Sequence, residues 1–64
     1  MSRPVSPLDY ARAFTHRGEA QLGLGMQAEA LINFERALGF DPQFVAAHLG
    51  LAKTLIAMEQ DQSA

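Results

Sequence analysis

The sequence predicts an all-α fold of three antiparallel helices, and three observations lead to that prediction. Residues of like character return after thirty-four positions, as Tyr10 returns in Phe44. A period of this length is typical of a repeat built from two helices, which must stack on a neighbour to bury its apolar face. Helix-start signals occur at Ser6 and again at Asp41. The connections between the helical runs are short, which favours antiparallel hairpins.

The first helix is predicted to begin at Pro7 and to end near Leu22. Ser6 can accept a hydrogen bond from a free backbone N–H group, and proline suits the first helical position. The glycines of residues 23–25 supply the turn that follows. Gly18 lies in the middle of this helix, where glycine costs up to about 1 kcal/mol relative to alanine. We expect another helix to approach too closely there for a side chain.

The second helix is predicted over residues 26–38, where the apolar pattern is clearest. Its single apolar stripe consists of Ala30, Leu31, Phe34, Ala37 and Leu38. Gly39 is expected to end this helix in a left-handed conformation. The next start signal then places Asp41 as the cap of the third helix and Pro42 at its first position. A hydrophobic staple is expected between Phe40 and Val45.

The third helix carries apolar residues on two sides. Projected at roughly 100° per residue, Leu51, Leu55 and Met58 form one stripe, whereas Leu49 and Ile56 form another. A terminal helix normally has a polar outer side, because repeat arrays need polar ends to stay soluble. This helix is therefore expected to make contacts on both sides. The polar tail, residues 59–64, is expected to fray.

Size and composition limit the possible functions. The chain has 64 residues, no cysteine and a net charge of −2. One small domain is predicted, and a chain this short hides only about 60% of its unfolded surface, so association with a partner is its remaining route to extra stability. The absence of a basic block argues against nucleic acid as a partner. With no apolar run long enough for a signal or a membrane span, we expect a cytoplasmic protein that does not bind membranes.

Six residues resemble a known family at its characteristic spacing. They are Phe14, Gly18, Ala30, Phe34, Ala37 and Pro42. The chain resembles the tetratricopeptide repeat, whose pattern has an aromatic residue, a glycine, Ala-x3-Phe and a later proline. The resemblance implies one full repeat over residues 11–44 and the first helix of a second over 45–58. A lead-in at 1–6 and the tail complete a single domain over 1–64.

Two residues depart from the family pattern. Arg17 stands where an aliphatic residue is usual, and Gln21 replaces a tyrosine. Packing on that side of the first helix is therefore expected to be looser.

The resemblance implies a scaffold or adaptor that binds a peptide or a helix of a partner protein. The first helix of each repeat lines the binding groove in this family. The matching positions here are Arg12, Thr15, Glu19, Leu22, Leu49, Lys53 and Ile56. Some members hold a partner's C-terminal carboxylate with lysine and asparagine, but the matching positions here are Thr15, Glu19 and Gly50, so that clamp is not expected.

Two alternatives stay open. In the first, the chain is a structural module that forms a homodimer, because the face of Leu51, Leu55 and Met58 lacks the fourth helix that would cover it. In the second, these residues are one piece of a longer repeat array. Catalysis is not expected, since no arrangement offers a matched acid and base. A metal site at His16 and His48 is conceivable, but surface and packing roles explain both residues better, and no cofactor is expected.

Overall fold

The structure, a computed structural model, describes residues 4–62. These residues form three helices. Helix α1 spans Pro7–Gly23, α2 spans Gln27–Phe40 and α3 spans Val45–Gln62. No strand occurs within these residues. The predicted all-α fold of three helices is therefore confirmed. Residues 1–3 of the predicted lead-in and 63–64 of the predicted tail lie outside the described residues.

The start of α1 follows the prediction. The Ser6 hydroxyl accepts a hydrogen bond from the backbone N–H of Asp9 at 3.3 Å, and the Asp9 carboxylate accepts one from the Ser6 backbone N–H at 3.1 Å. This reciprocal pair is a capping box, which satisfies two backbone donors that would otherwise lack partners. Pro7 occupies the first turn. Beyond the other end of α1, Gly25 has a φ of 79° and turns the chain toward α2.

The end of α2 differs from the prediction. Gly39 lies inside the helix and does not adopt a positive φ, so its assignment as a left-handed stop is wrong. The helix continues to Phe40, and the Asp41 N–H donates to the Ala37 carbonyl at 3.0 Å. The continuation has a physical reason, because it brings the Phe40 ring against aromatic side chains of α1.

The start of α3 also differs. The helix begins at Val45 rather than at Pro42. Asp41 caps a turn instead of a helix, since its carboxylate accepts from the Gln43 N–H at 3.2 Å and its carbonyl accepts from the Phe44 N–H at 3.1 Å. The expected staple is not the main contact of Phe40, which stacks on α1, and Val45 is 68% exposed.

The far end of α3 is longer than predicted. Residues 59–62 are helical and continue α3 beyond the expected end at residue 58. Glutamate and glutamine are good helix formers, and they extend the helix beyond the half-buried Met58. None of the helices in residues 4–62 is long and apolar enough to cross a lipid bilayer.

Helix α2 lies between the other two helices. The predicted close approach at Gly18 is confirmed, because a Cβ atom placed there would lie 2.9 Å from the ring of Phe34. A Cβ atom on Gly50 of α3 would lie even closer to the same ring. The Phe34 side chain is completely buried. The Phe34 ring therefore packs against two glycines, one on α1 and one on α3.

A second cluster lies further along α2. Ala11 of α1, Ala37 of α2 and Ala47 of α3 are all fully buried and pack together. Three half-buried side chains surround them, namely Phe14, Leu38 and Phe44. Alanine at all three positions lets the helices approach closely, so α1 and α3 flank α2 at two successive levels.

Aromatic rings of α1 and α2 stack in alternation along the edge of the contact between these two helices. The Phe40 ring stacks on Tyr10 with centroids 4.9 Å apart and on Phe14 with centroids 5.7 Å apart. The Arg36 guanidinium lies over the Phe14 ring, 5.9 Å from its centroid. Since the start of α1 meets the end of α2, these contacts show that the two helices are antiparallel.

Candidate functional site: a cleft between α1 and α3

A cleft of about 400 Å³ opens between α1 and α3. Helix α1 contributes Glu19, Leu22 and Gly23, α2 contributes Phe34, and α3 contributes Ala46, Leu49, Gly50 and Lys53. The two walls thus come from helices that are separated in sequence by the whole of α2. This volume falls in the range of pockets that take small ligands or side-chain anchors.

Two of the residues that line the cleft are glycines, which have no side chain. Phe34 forms part of the floor, and Gly50 packs directly on its ring. Gly23 lines the cleft at the end of α1, with no other atom within 4 Å of where its Cβ would be. A side chain at Gly50 would push α3 off Phe34, so this glycine is needed for the close contact that borders the cleft.

The rim of the cleft combines apolar and charged groups. Leu22 is half-buried in the α1 wall, whereas Leu49 on α3 is 57% exposed. Glu19 stands on the α1 side and Lys53 on the α3 side, and both are exposed to water. The cleft therefore offers an apolar interior and opposite charges on its two walls.

The structure brings together four of the seven groove positions predicted from the sequence. Glu19, Leu22, Leu49 and Lys53 all line the cleft. Arg12 and Ile56 are exposed but lie outside the lining. Thr15 is a correction: it is only 2% exposed, so a partner in a groove cannot reach it. It lies on the side of α1 that carries the buried Ala11 and Gly18, which explains its burial.

Four lining residues were not predicted. Ala46 lies about one turn before Leu49 on α3, so helical spacing alone could have found it, whereas Gly50 was named only as a position that lacks the carboxylate clamp. Phe34 was assigned to the apolar stripe of α2, and its sequence position gave no sign that this residue also borders the cleft. Gly23 was taken only as part of a turn.

The face predicted for self-association is partly covered within one copy. Leu51 and Met58 are half-buried, whereas Leu55 is 51% exposed. The other stripe of α3 is more open, since Leu49 and Ile56 are 57% and 56% exposed. The prediction that α3 is apolar on two sides is consistent with these exposures.

Several polar side chains lie at or near the contacts between the helices. Gln21, which departs from the family pattern, is half-buried and accepts a hydrogen bond from the Asn33 side-chain amide. A polar link between α1 and α2 thus stands on the side where looser packing was expected. The buried Thr15 hydroxyl has no hydrogen-bond partner, whereas the buried Thr54 hydroxyl donates to the Gly50 carbonyl at 2.7 Å.

The histidines lie apart from the cleft lining. His48 is exposed, and its Nε2 atom lies 2.7 Å from the Pro42 carbonyl, with which it shares a hydrogen bond. His16 is exposed on α1. Within residues 4–62, no group of three or more histidine, aspartate or glutamate side chains is arranged to hold a metal ion.

Comparison with protein-family models, with curated proteins and with solved structures finds no match to this chain.

Proposed function

We propose that this protein is a non-catalytic interaction module that holds a peptide or helix of a partner protein in the cleft between α1 and α3. One observation carries the proposal. Groove positions that the family resemblance implies on two separate helices, Glu19 and Leu22 on α1 and Leu49 and Lys53 on α3, line a single cleft. The proposal includes a likeness to tetratricopeptide modules, whose groove is built from the same helices.

The lining points to the kind of partner. An apolar floor and walls favour an apolar anchor side chain, since burial is worth about 25 cal/mol per Å². Glu19 and Lys53 on opposite walls favour a segment with a basic group on one side of that anchor and an acidic group on the other. Such charges fix orientation and specificity more than they add affinity. A short charged peptide with one aliphatic or aromatic anchor is the ligand we expect.

A peptide-display experiment tests this proposal. A library of random short peptides is selected on the wild-type protein, and the enriched peptides are titrated against charge variants. We expect Lys53→Glu to weaken binding at least about tenfold, because it turns an attraction into a repulsion. Arg17→Glu is the matched control, since it makes the same charge change at an exposed position of α1 outside the cleft.

A double variant sharpens the test. Glu19→Lys combined with Lys53→Glu keeps the net charge of the protein and exchanges the charges of the two cleft walls. We expect this variant to select peptides with the reversed order of charges. Failure to enrich any peptide, or equal binding by the wild type and Lys53→Glu, would contradict the proposal. Circular dichroism of each variant confirms that the helices are retained.

A further inference from the structure

A narrow apolar seam runs along the outer side of α3. It consists of Val45, Leu49, Ala52 and Ile56, and all four residues are exposed. Their spacing of four, three and four residues keeps them within an arc of about 60° over a length of about 16 Å. This spacing is that of a coiled-coil seam, whereas the side of a helix that packs in a globular core usually carries a broader stripe.

The seam lies on the outer side of α3, and of its four residues only Leu49 also borders the cleft. The buried residues of α3, which include Ala47, Gly50 and Thr54, lie on the opposite side of the helix. Three large aliphatic side chains of the seam are each more than half exposed, at 68% for Val45, 57% for Leu49 and 56% for Ile56. Together they form an apolar strip on the order of a few hundred Å², a size that often marks an interaction surface.

The exposed sides of the two outer helices differ: that of α1 carries charges, whereas the seam on α3 is apolar. This difference decides how two copies of the chain can meet. The exposed side of α1 carries Arg12, Ala13, His16, Arg17 and Ala20. Head-to-tail stacking would press these arginines against the aliphatic seam and leave charges without partners, which is costly. A two-fold contact instead places the seam of one copy on the same seam of another. We infer that a second copy of this chain covers the seam, with the two α3 helices antiparallel.

Side-chain sizes fix the antiparallel direction. When the helices run in opposite directions about the middle of the seam, Leu49 faces Ala52 of the second copy, and Val45 faces Ile56 of the second copy. Large residues then meet small ones at the centre, which is how facing layers interdigitate without gaps. In a parallel pair each residue faces its own counterpart, so the two Ala52 side chains leave a gap beside two crowded Leu49 side chains.

The dimer is expected to be weak. A single pair of helices of this length buries less than the roughly 1,200 Å² of a standard interface. We therefore expect a dissociation constant in the high-micromolar range. The seam shares only Leu49 with the cleft lining. The dimer does not rest on the proposed function, and the two can be tested independently.

Sedimentation equilibrium up to millimolar concentration tests the dimer. We expect the wild type to form dimers, and Ala52→Glu to weaken them at least about tenfold by burying an unpaired charge at the contact. Ala20→Glu is the matched control, since it makes the same change at an exposed alanine of α1. A wild type that stays monomeric at millimolar concentration, or equal dimerisation by the wild type and Ala52→Glu, would overturn the inference.

A size exchange tests the direction. In the antiparallel pair Ala52→Leu crowds Leu49 of the second copy and Leu49→Ala leaves a cavity, so each single variant weakens the dimer. The double variant restores the large-to-small match and recovers most of the affinity. Strengthening by Ala52→Leu alone, or no recovery in the double variant, would overturn the antiparallel arrangement. Glu19→Lys, which lies on α1 and away from the seam, separates this result from failure of the cleft, because it impairs peptide binding and leaves the dimer intact.

Discussion

The ring of Phe34 lies directly on the backbone of Gly50, closer than any side chain at that position would permit. This contact places α3 against α2, and it leaves room beside it for the cleft lined by α1 and α3. The same three ring atoms are also the nearest neighbours of a Cβ atom placed on Gly18. Because Phe34 is completely buried, it cannot turn aside to accept a larger neighbour.

A methyl group at Gly50 should therefore destabilise the protein. We expect Gly50→Ala to lower the free energy of unfolding by about 2 kcal/mol, because the added atom overlaps a ring held on all sides. Urea unfolding followed by circular dichroism measures the change. Gly39→Ala is the control: Gly39 is also helical, but nothing lies within 4 Å of its Cβ position, so alanine should stabilise by about 0.5–1 kcal/mol. Equal stability of the two variants would contradict the contact.

Two buried threonines should respond differently to the same change. The Thr15 hydroxyl has no hydrogen-bond partner, so Thr15→Val should leave the free energy of unfolding unchanged or raise it by up to about 1 kcal/mol. The Thr54 hydroxyl donates to the Gly50 carbonyl, so Thr54→Val should lower it by about 1 kcal/mol. Valine keeps the shape in both cases. A loss at Thr15 as large as that at Thr54 would show that the Thr15 hydroxyl is satisfied.

The stack of Tyr10 on Phe40 should contribute a measurable coupling. A double-mutant cycle with Tyr10→Ala and Phe40→Ala should give an interaction of about 0.5–1.5 kcal/mol beyond the single losses. Thermal or urea unfolding of the four proteins provides the numbers. A second cycle between Tyr10 and the largely exposed Val45 is the control and should give no coupling. No difference between the two cycles would rule out a stabilising stack.

The turn between α1 and α2 should depend on Gly25. Its φ of 79° is readily adopted by glycine, so Gly25→Ala should cost about 1–2 kcal/mol of unfolding free energy. Gly25→Asn should cost less, because asparagine tolerates this conformation better than alanine. Gly23→Ala is the control and should be tolerated, since no atom crowds the position. If Gly25→Ala is as stable as Gly23→Ala, the turn has a different backbone conformation.

The sequence was sufficient to predict the three helices and part of the candidate site. Each prediction that the structure contradicts has an identifiable cause. The start of α1 and the close approach at Gly18 followed from local rules that the neighbours reinforce. Gly39 was misjudged because the stacking of Phe40 on α1, a tertiary contact, outweighs the local preference for a helix stop. Asp41 uses its carboxylate in a turn, and a cap and a turn look alike in sequence.

The candidate site likewise includes residues that the sequence predicted and residues that it did not. Matching to the repeat pattern named Glu19, Leu22 and Lys53 as groove positions, and all three line the cleft. It misplaced Thr15, because the rotation of α1 about its own axis depends on where the Phe34 ring settles, and spacing within one helix cannot supply that rotation. Gly50 was named only as a position that lacks the carboxylate clamp, because its contact with the Phe34 ring is tertiary and spacing within α3 cannot supply it.

The contact of Phe34 with both outer helices underlies the fold and the proposed binding cleft, and nuclear Overhauser effects measure it most directly. In isotope-labelled protein, we predict strong cross-peaks from the Phe34 ring protons to the α protons of both Gly18 and Gly50. A spectrum with the Gly18 cross-peaks and without those of Gly50 would contradict the account, because α3 would then not close on Phe34 and the cleft would not exist.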